Sequence, residues 1–114
     1  MKVCIPTNTP GGPDSPVADS FQDSDFFDFY ELAEDGRFVL YVQIRNCAGM
    51  CKDDVETVVR RGAEAVIANT ITPNSLHRFT RSGVVVYRAL EGRSKDSLDA
   101  LSTKGLSRLD RIKS

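Results

Sequence analysis

Two short apolar runs separated by a helical segment restrict the fold of this chain more than any other feature of its sequence. Residues 63–69 (AEAVIAN) and 84–87 (VVVY) show no alternation of apolar and polar residues, which is typical of strands covered on both faces. Between them, Thr72 and Pro73 have the residue types of a helix N-terminus, and Gly83 has that of a helix end. A strand, a helix and a second strand in this order predict a parallel βαβ unit.

The preceding sequence predicts antiparallel strands. Residues 2–6 (KVCIP) form a short strand that ends at a proline, and residues 25–33 and 37–45 are rich in aromatic and β-branched residues around the turn EDG, which indicates a hairpin. A helical period begins at Lys52 and another at Ser94. The predicted fold is therefore α/β, with a mixed five-stranded sheet, an N-terminal antiparallel hairpin and helices on the faces of the sheet.

Length and composition narrow the class of protein. A chain of 114 residues is expected to form a single domain, residues 1–114, around one core. No apolar run is long enough to cross a bilayer and no export leader is recognisable, and three cysteines are too few for a disulfide scaffold. We therefore expect a cytoplasmic protein with reduced thiols and no membrane partner.

The charges are unevenly distributed along the chain. Residues 1–36 carry eight acidic residues and one lysine, which argues against an N-terminal arm that binds nucleic acid, and the scattered arginines further on favour solvated helix faces over a phosphate-binding surface. The acidic residues lack the spacing of a calcium loop, so we predict that they form a solvated acidic patch: Asp14, Asp19, Asp23, Asp25 and Asp28.

Cys47 and Cys51 lie where a strand pattern ends and a helix pattern begins. Thiolates bind metals, and a helix N-terminus stabilises negative charge by about 0.3–1 kcal/mol. Tetrahedral zinc or an iron-sulfur cluster ordinarily takes four ligands, so Cys4, a second subunit or an exogenous cluster has to complete the set. The pair is a candidate metal site, with packing and thiol redox chemistry as the alternatives. Cys4 itself is expected in the core.

Polar side chains follow the first and fourth predicted strands. In α/β sheets, ligands bind beyond the carboxyl ends of the strands, where the strand order reverses. The hydroxyl and amide groups expected there form the candidate ligand site, with turn formation and helix capping as the alternative role: Thr7, Asn8, Asn69, Thr70 and Thr72.

Four stretches have a recognisable pattern: MKVCIPT, SPVADSF, GAEAVIANTITPNSLHRFTRSGVVVY and ALEGRSKDSLDAL. Together they resemble the dinitrogenase iron-molybdenum cofactor biosynthesis family, which includes NifX, NifY and the C-terminal region of NifB, and the similarity spans nearly the whole chain. The resemblance implies a ribonuclease H-like fold and, in some members, the carriage of an iron-sulfur or iron-molybdenum cluster precursor.

The chain departs from the family pattern at the positions of the family's histidines. Members usually have His-Phe-Gly where this chain has Ser20, Phe21 and Gln22, and a His-Gly loop where it has residues 47–49 (CAG); residues 69–72 replace a glycine-rich turn. If a metal is bound, cysteine therefore replaces histidine.

The resemblance implies a small non-enzymatic carrier of a metal cluster or small ligand, with a protein partner in cluster transfer. Ribonuclease H-like nucleases hold two metals with carboxylates. Here the first strand and the residue after it offer Cys4, Pro6 and Thr7, and the fourth strand ends in Asn69, so that cluster of catalytic carboxylates is absent. The alternative is a metal-independent regulatory or protein-interaction module on the same fold.

Overall fold

The sheet and helices occur in the predicted order. The computed structural model describes residues 1–8, 11–46, 54–103 and 105–109. The strands and helices are, in chain order, β1 Lys2–Thr7, β2 Phe26–Leu32, β3 Phe38–Arg45, α1 Asp54–Arg60, β4 Ala65–Ala68, α2 Pro73–Arg81, β5 Val85–Arg88 and α3 Ser94–Ser102. Cys47 and Cys51, together with the first residues of the helix predicted from Lys52, lie outside the described residues.

The five strands form one mixed sheet in the order β3-β2-β1-β4-β5. β2 pairs antiparallel with both β1 and β3, whereas β4 pairs parallel with both β1 and β5. The strand order reverses at β1, because the chain builds outward to β3 first and then returns to the other side of β1. The α/β class and the mixed five-stranded sheet are confirmed.

Both faces of the sheet are covered, which explains the apolar runs in β4 and β5. On one face, Cys4 of β1 and Val66 of β4 pack with Val58 of α1 and Phe79 of α2. On the other face, Val3, Ile5 and Ile67 pack with Leu98 and Leu101 of α3. Alternate residues of the central strands thus enter two hydrophobic clusters, one on each side of the sheet.

Helix α2 begins and ends at the predicted residues. Thr72 is its N-cap, with an extended backbone and a side-chain oxygen that accepts a hydrogen bond from the Ser75 amide, and Pro73 is its first residue. Ser82 is the C-cap, and Gly83 follows with a φ of 82°. These caps satisfy backbone groups that the helix leaves without intrahelical partners.

The last described segment, residues 105–109, pairs with β5. Residues 105–109 contain no helix; the Leu109 amide donates to the Val86 carbonyl at 2.7 Å, and the Arg88 amide donates to the Ser107 carbonyl at 2.9 Å. This short extended segment pairs with the β5 edge and buries Leu106 and Leu109 on opposite faces of the sheet. Pairing with an open strand edge satisfies backbone groups that a helix there would leave exposed.

Among the helices of the described part of the chain, none has the length and apolarity that a membrane span requires.

Candidate ligand-binding rim

The carboxyl ends of β1 and β4 lie side by side at one edge of the sheet. The two strands are parallel neighbours, so Thr7 at the end of β1 and Asn69 after β4 leave the sheet at the same edge. We refer to the five residues predicted to bind a ligand there, Thr7, Asn8, Asn69, Thr70 and Thr72, as the rim.

Residues 17–21, which lie between β1 and β2 in the chain, cross this edge between β1 and β4. The Ala18 amide donates to the Pro6 carbonyl at 2.8 Å, and the Phe21 amide donates to the Thr70 carbonyl at 3.0 Å. Phe21 is fully buried and stacks on Phe27, with ring centroids 5.0 Å apart. The signal for this path was an apolar Val17 and Phe21 within an otherwise polar loop.

Asn69 and Thr70 hold this crossing segment through their side chains. The Asn69 amide nitrogen donates to the carbonyls of Val17 and Ala18 at 3.1 and 3.2 Å, and the Thr70 hydroxyl donates to the Asp19 carbonyl. Asn69 is half-buried, while Thr70 is exposed. These side chains therefore shape the rim, and a bound ligand would meet Thr70 at its surface.

Thr72 lies next to the crossing segment as well as capping α2. The Gln22 side-chain amide donates to the Thr72 hydroxyl at 3.0 Å and to the Ser75 hydroxyl at 3.3 Å. Thr72 is exposed and Gln22 is half-buried. Gln22, which follows the buried Phe21, is thus hydrogen-bonded to the N-cap and first turn of α2.

The residue that precedes Cys47 is hydrogen-bonded into the same edge. The Asn46 side-chain amide donates to the Gln22 carbonyl at 3.1 Å, and the Asn46 backbone amide donates to the Asp25 carbonyl at 2.8 Å. In turn, the Asp25 amide donates to the Asn8 side-chain oxygen at 3.1 Å. One intervening residue therefore connects Asn46 to Asn8, and another connects it to Thr72.

The prediction that all five aspartates form a solvated acidic patch is wrong for Asp28. The other four aspartates of that patch are exposed, but Asp28 is fully buried. Its carboxylate accepts hydrogen bonds from the Thr7 hydroxyl at 3.0 Å, the Gly12 amide at 2.7 Å and the Gln43 side-chain amide at 2.8 Å. Thr7 is buried with it, so within the rim the Thr7 hydroxyl is directed to this carboxylate.

Gly11 allows the loop after β1 to approach this carboxylate. Its φ is 76°, and a β-carbon at this position would collide with the Gln43 side-chain amide and lie 3.1 Å from the Thr7 hydroxyl. Any other residue type would be strained here and would push Gln43 away from Asp28. Gly11 is therefore a packing requirement of the Asp28 cluster.

The family described as dinitrogenase iron-molybdenum cofactor matches residues 1–104. The match spans most of the chain, including both strands of the rim and the segment that carries Cys47 and Cys51. The chain belongs to this family. No curated protein matches it.

Solved structures agree with the family assignment at the level of the fold. An NMR structure of a Thermotoga protein provisionally named NifB is 26% identical, with a TM-score of 0.79 over 99% of this chain and 97% of that chain. A Methanocaldococcus jannaschii protein provisionally named a dinitrogenase is 18% identical, with a TM-score of 0.77 over 98% and 97%. The apo form of the orange protein from Desulfovibrio gigas is 12% identical, with a TM-score of 0.76 over 94% and 91%. The last two likenesses show a shared fold alone.

Cys4 is poorly suited to bind a metal in this family member. It is fully buried in the cluster beneath α1 and α2, and burial, followed by the charge of Asp28, raises the pKa of its thiol well above the ordinary value. A metal ligand has to be a thiolate. Of the ways to complete a ligand set around Cys47 and Cys51, Cys4 is therefore the least favourable.

The raised pKa of Cys4 predicts a loss of stability at alkaline pH. The folded protein keeps the thiol protonated, whereas the unfolded chain ionises near pH 8.5, so the free energy of unfolding should fall above that pH by up to about 1.4 kcal/mol per pH unit. Urea unfolding at pH 7.5, 8.5 and 9.5 in the presence of reductant measures this slope. The Cys4→Ala variant should show a shallower fall, and an equal slope in both proteins would contradict the assignment.

Proposed function

We propose that this chain is a small non-enzymatic carrier that holds a metal cluster, such as an iron-sulfur or iron-molybdenum cofactor precursor, or a small ligand at the rim. Membership of the dinitrogenase iron-molybdenum cofactor family supports a role in cofactor handling. The observation that carries the proposal is the position of Asn46, which is linked through Gln22 to Thr72 and through Asp25 to Asn8. Asn46, which precedes Cys47 in the sequence, is thereby tied to the edge where β1 and β4 end.

In this proposal, Cys47 and Cys51 supply thiolates to the metal, and the exposed polar groups of Asn8, Thr70 and Thr72 contact the cargo. Outside residues 9–10, 47–53, 104 and 110–114, no three His, Cys, Asp or Glu residues are grouped so that they could hold a metal ion. The thiolates are therefore the main metal-binding groups of the proposal, and the cargo's own ligands or a second protein complete the coordination.

The non-enzymatic part of the proposal rests on the chemistry at the rim. A two-metal hydrolase stabilises its reaction with carboxylates that hold both ions, whereas the ends of β1 and β4 contribute Thr7 and Asn69. The carboxylate that contacts Thr7, that of Asp28, already accepts three hydrogen bonds in a buried position. These groups are suited to positioning and release of a cargo, and transfer of that cargo to a protein partner follows as the role.

We further infer a ribonuclease H-like classification and a single cytoplasmic domain spanning residues 1–114. One sheet separates two hydrophobic clusters that together involve all its strands, which supports one cooperative unit. Limited proteolysis that released a stable fragment would argue against the single domain.

Metal loading tests the carrier proposal directly. Protein purified anaerobically, or reconstituted with iron and sulfide, should contain iron or zinc and, with an iron-sulfur cluster, show visible charge-transfer absorption. Cys47→Ser and Cys51→Ser should each weaken metal binding by about tenfold or more, since even the residues that support a ligand change affinity by that amount. Metal content by mass spectrometry and absorption spectra provide the two measurements.

Cys4→Ala is the matched control, because it removes the buried cysteine and leaves Cys47 and Cys51 in place. It should load as the unchanged protein does. A colourless, metal-free protein that reconstitution fails to load would contradict cluster carriage, as would serine variants that load normally.

The alternative function, a metal-independent regulatory or protein-interaction module, is favoured by the outer edge of β3, with which no strand of the described residues pairs. β3 is the terminal strand, and Val39 and Tyr41 on it are 53% and 41% exposed. An exposed strand edge with apolar side chains can add a strand from another protein. Failure of metal loading together with partner capture that Val39→Lys abolishes would favour this function.

A further inference from the structure

A cavity of about 240 Å³ lies on the α3 face of the sheet, between α3 and the β2–β3 hairpin. Tyr30 and Phe38 line it from the sheet, Leu98 and Asp99 line it from α3, and Pro13 lines it from the loop after β1. None of the five rim residues lines the cavity. The cavity is therefore separate from the proposed cargo site, and the carrier function gives it no role.

Tyr30, one of the residues that line the cavity, has an unsatisfied polar group. The residue is fully buried, and its hydroxyl has no hydrogen-bond partner within the described part of the chain. Buried polar groups nearly always have partners, so an exception requires an explanation. Burial, and then the charges of Asp28 and Asp14, raise the pKa of Tyr30 far above its ordinary value. The hydroxyl therefore stays protonated and can donate a hydrogen bond to an acceptor atom of a ligand.

Two cations, Arg37 and Lys95, line the cavity together with one acid, Asp99. The Lys95 ammonium lies 3.4 Å from the carboxylate of Asp14, which is 81% exposed, and the Arg37 guanidinium lies 3.9 Å from Asp35. Exposed ion pairs of this kind are weak, so both cations can turn to a bound anion.

We propose that this cavity binds a small, flat organic acid, with its carboxylate accepting a hydrogen bond from Tyr30 and facing Lys95, and its apolar body between Phe38 and Leu98. A volume of about 240 Å³ lies just below the range of about 300–1,000 Å³ that is typical of small-molecule pockets, so it suits a one-ring acid better than a nucleotide. Most small-molecule sites combine an apolar lining with a few polar groups in the same way. The proposal does not depend on metal carriage at the rim.

NMR titration of the full-length, metal-free protein tests the site with benzoate, phenylacetate and 4-hydroxybenzoate, each paired with its neutral amide. At least one acid should produce saturable shifts in the amides of the cavity residues and bind about tenfold more tightly than its amide. Tyr30→Phe should weaken that acid about five- to tenfold, the loss expected for one net hydrogen bond. Lys95→Gln should also weaken it and reduce its salt dependence.

Arg81→Gln on α2 is the control for the loss of one exposed cation on the opposite face, and it should leave the affinity unchanged. Tyr30→Phe should also stay folded and gain a few degrees in Tm without ligand, because it removes the unsatisfied hydroxyl. The proposal is overturned if none of the three acids gives saturable shifts, if the amides bind equally well, or if Tyr30→Phe binds the acid as tightly as the unchanged protein.

Discussion

Replacing Phe21 by alanine is expected to lower the free energy of unfolding by about 3–5 kcal/mol. Phe21 is fully buried, its ring stacks on Phe27 at 5.0 Å, and it meets the edge of Phe79 of α2 at 5.4 Å. Removal of the ring leaves a cavity between β2 and α2 and releases the side chain that holds residues 17–21 across the rim. Urea unfolding at pH 7, followed by circular dichroism, measures the loss.

Phe26→Ala is the matched control for this prediction. Phe26 begins β2, is only half-buried and lies 6.0 Å from the Arg45 guanidinium, so its truncation should be less than half as destabilising as that of Phe21. In Phe21→Ala, hydrogen exchange should also be faster at the Ala18 amide, which donates a hydrogen bond to the Pro6 carbonyl. A loss below about 1 kcal/mol for Phe21→Ala, outside the range for buried aromatic truncations, would show that the crossing segment is not held by this side chain.

The second large effect is expected from Asp28→Ala, which should destabilise the protein by about 2–4 kcal/mol. The change removes the acceptor of three hydrogen bonds, and an unsatisfied buried donor costs about 1–3 kcal/mol. Gly12 and Thr7 are both buried and therefore cannot replace the lost acceptor with bulk water. The exposed Gln43 can turn to solvent, so its share of the loss is small.

Hydrogen exchange at Gly12 distinguishes this explanation from a general loss of stability. In Asp28→Ala, the Gly12 amide should exchange faster than the global unfolding free energy requires, because its only acceptor in the described structure, the Asp28 carboxylate, is gone. Gln43→Ala is the control, since it removes one donor and keeps the carboxylate, and it should cost about 1 kcal/mol or less. Equal destabilisation by the two variants would contradict a central role for Asp28.

Much of the fold could be predicted from the sequence because its signals are local. The N-cap at Thr72 and the glycine after α2 act within one helical turn. The burial of each strand or helix also leaves its own pattern in the sequence. This holds for the apolar runs of β4 and β5 and for the helical periods of α1 and α3. The candidate rim followed from the same signals, since parallel neighbouring strands end at one edge of a sheet.

The sequence by itself determined the order of strands and helices, the ends of α2 and the edge of the sheet where β1 and β4 end. Only the tertiary structure decided the path of residues 17–21, the burial of Asp28 and the cavity beside Tyr30. Asp28 and Tyr30 alternate with buried phenylalanines along β2, a pattern that predicts a solvent-facing side. That side is covered by the loop after β1 and by α3, and these contacts join residues far apart in the chain. Such contacts leave no periodic pattern in the local sequence, because their free energy depends on which distant segments the completed sheet brings together.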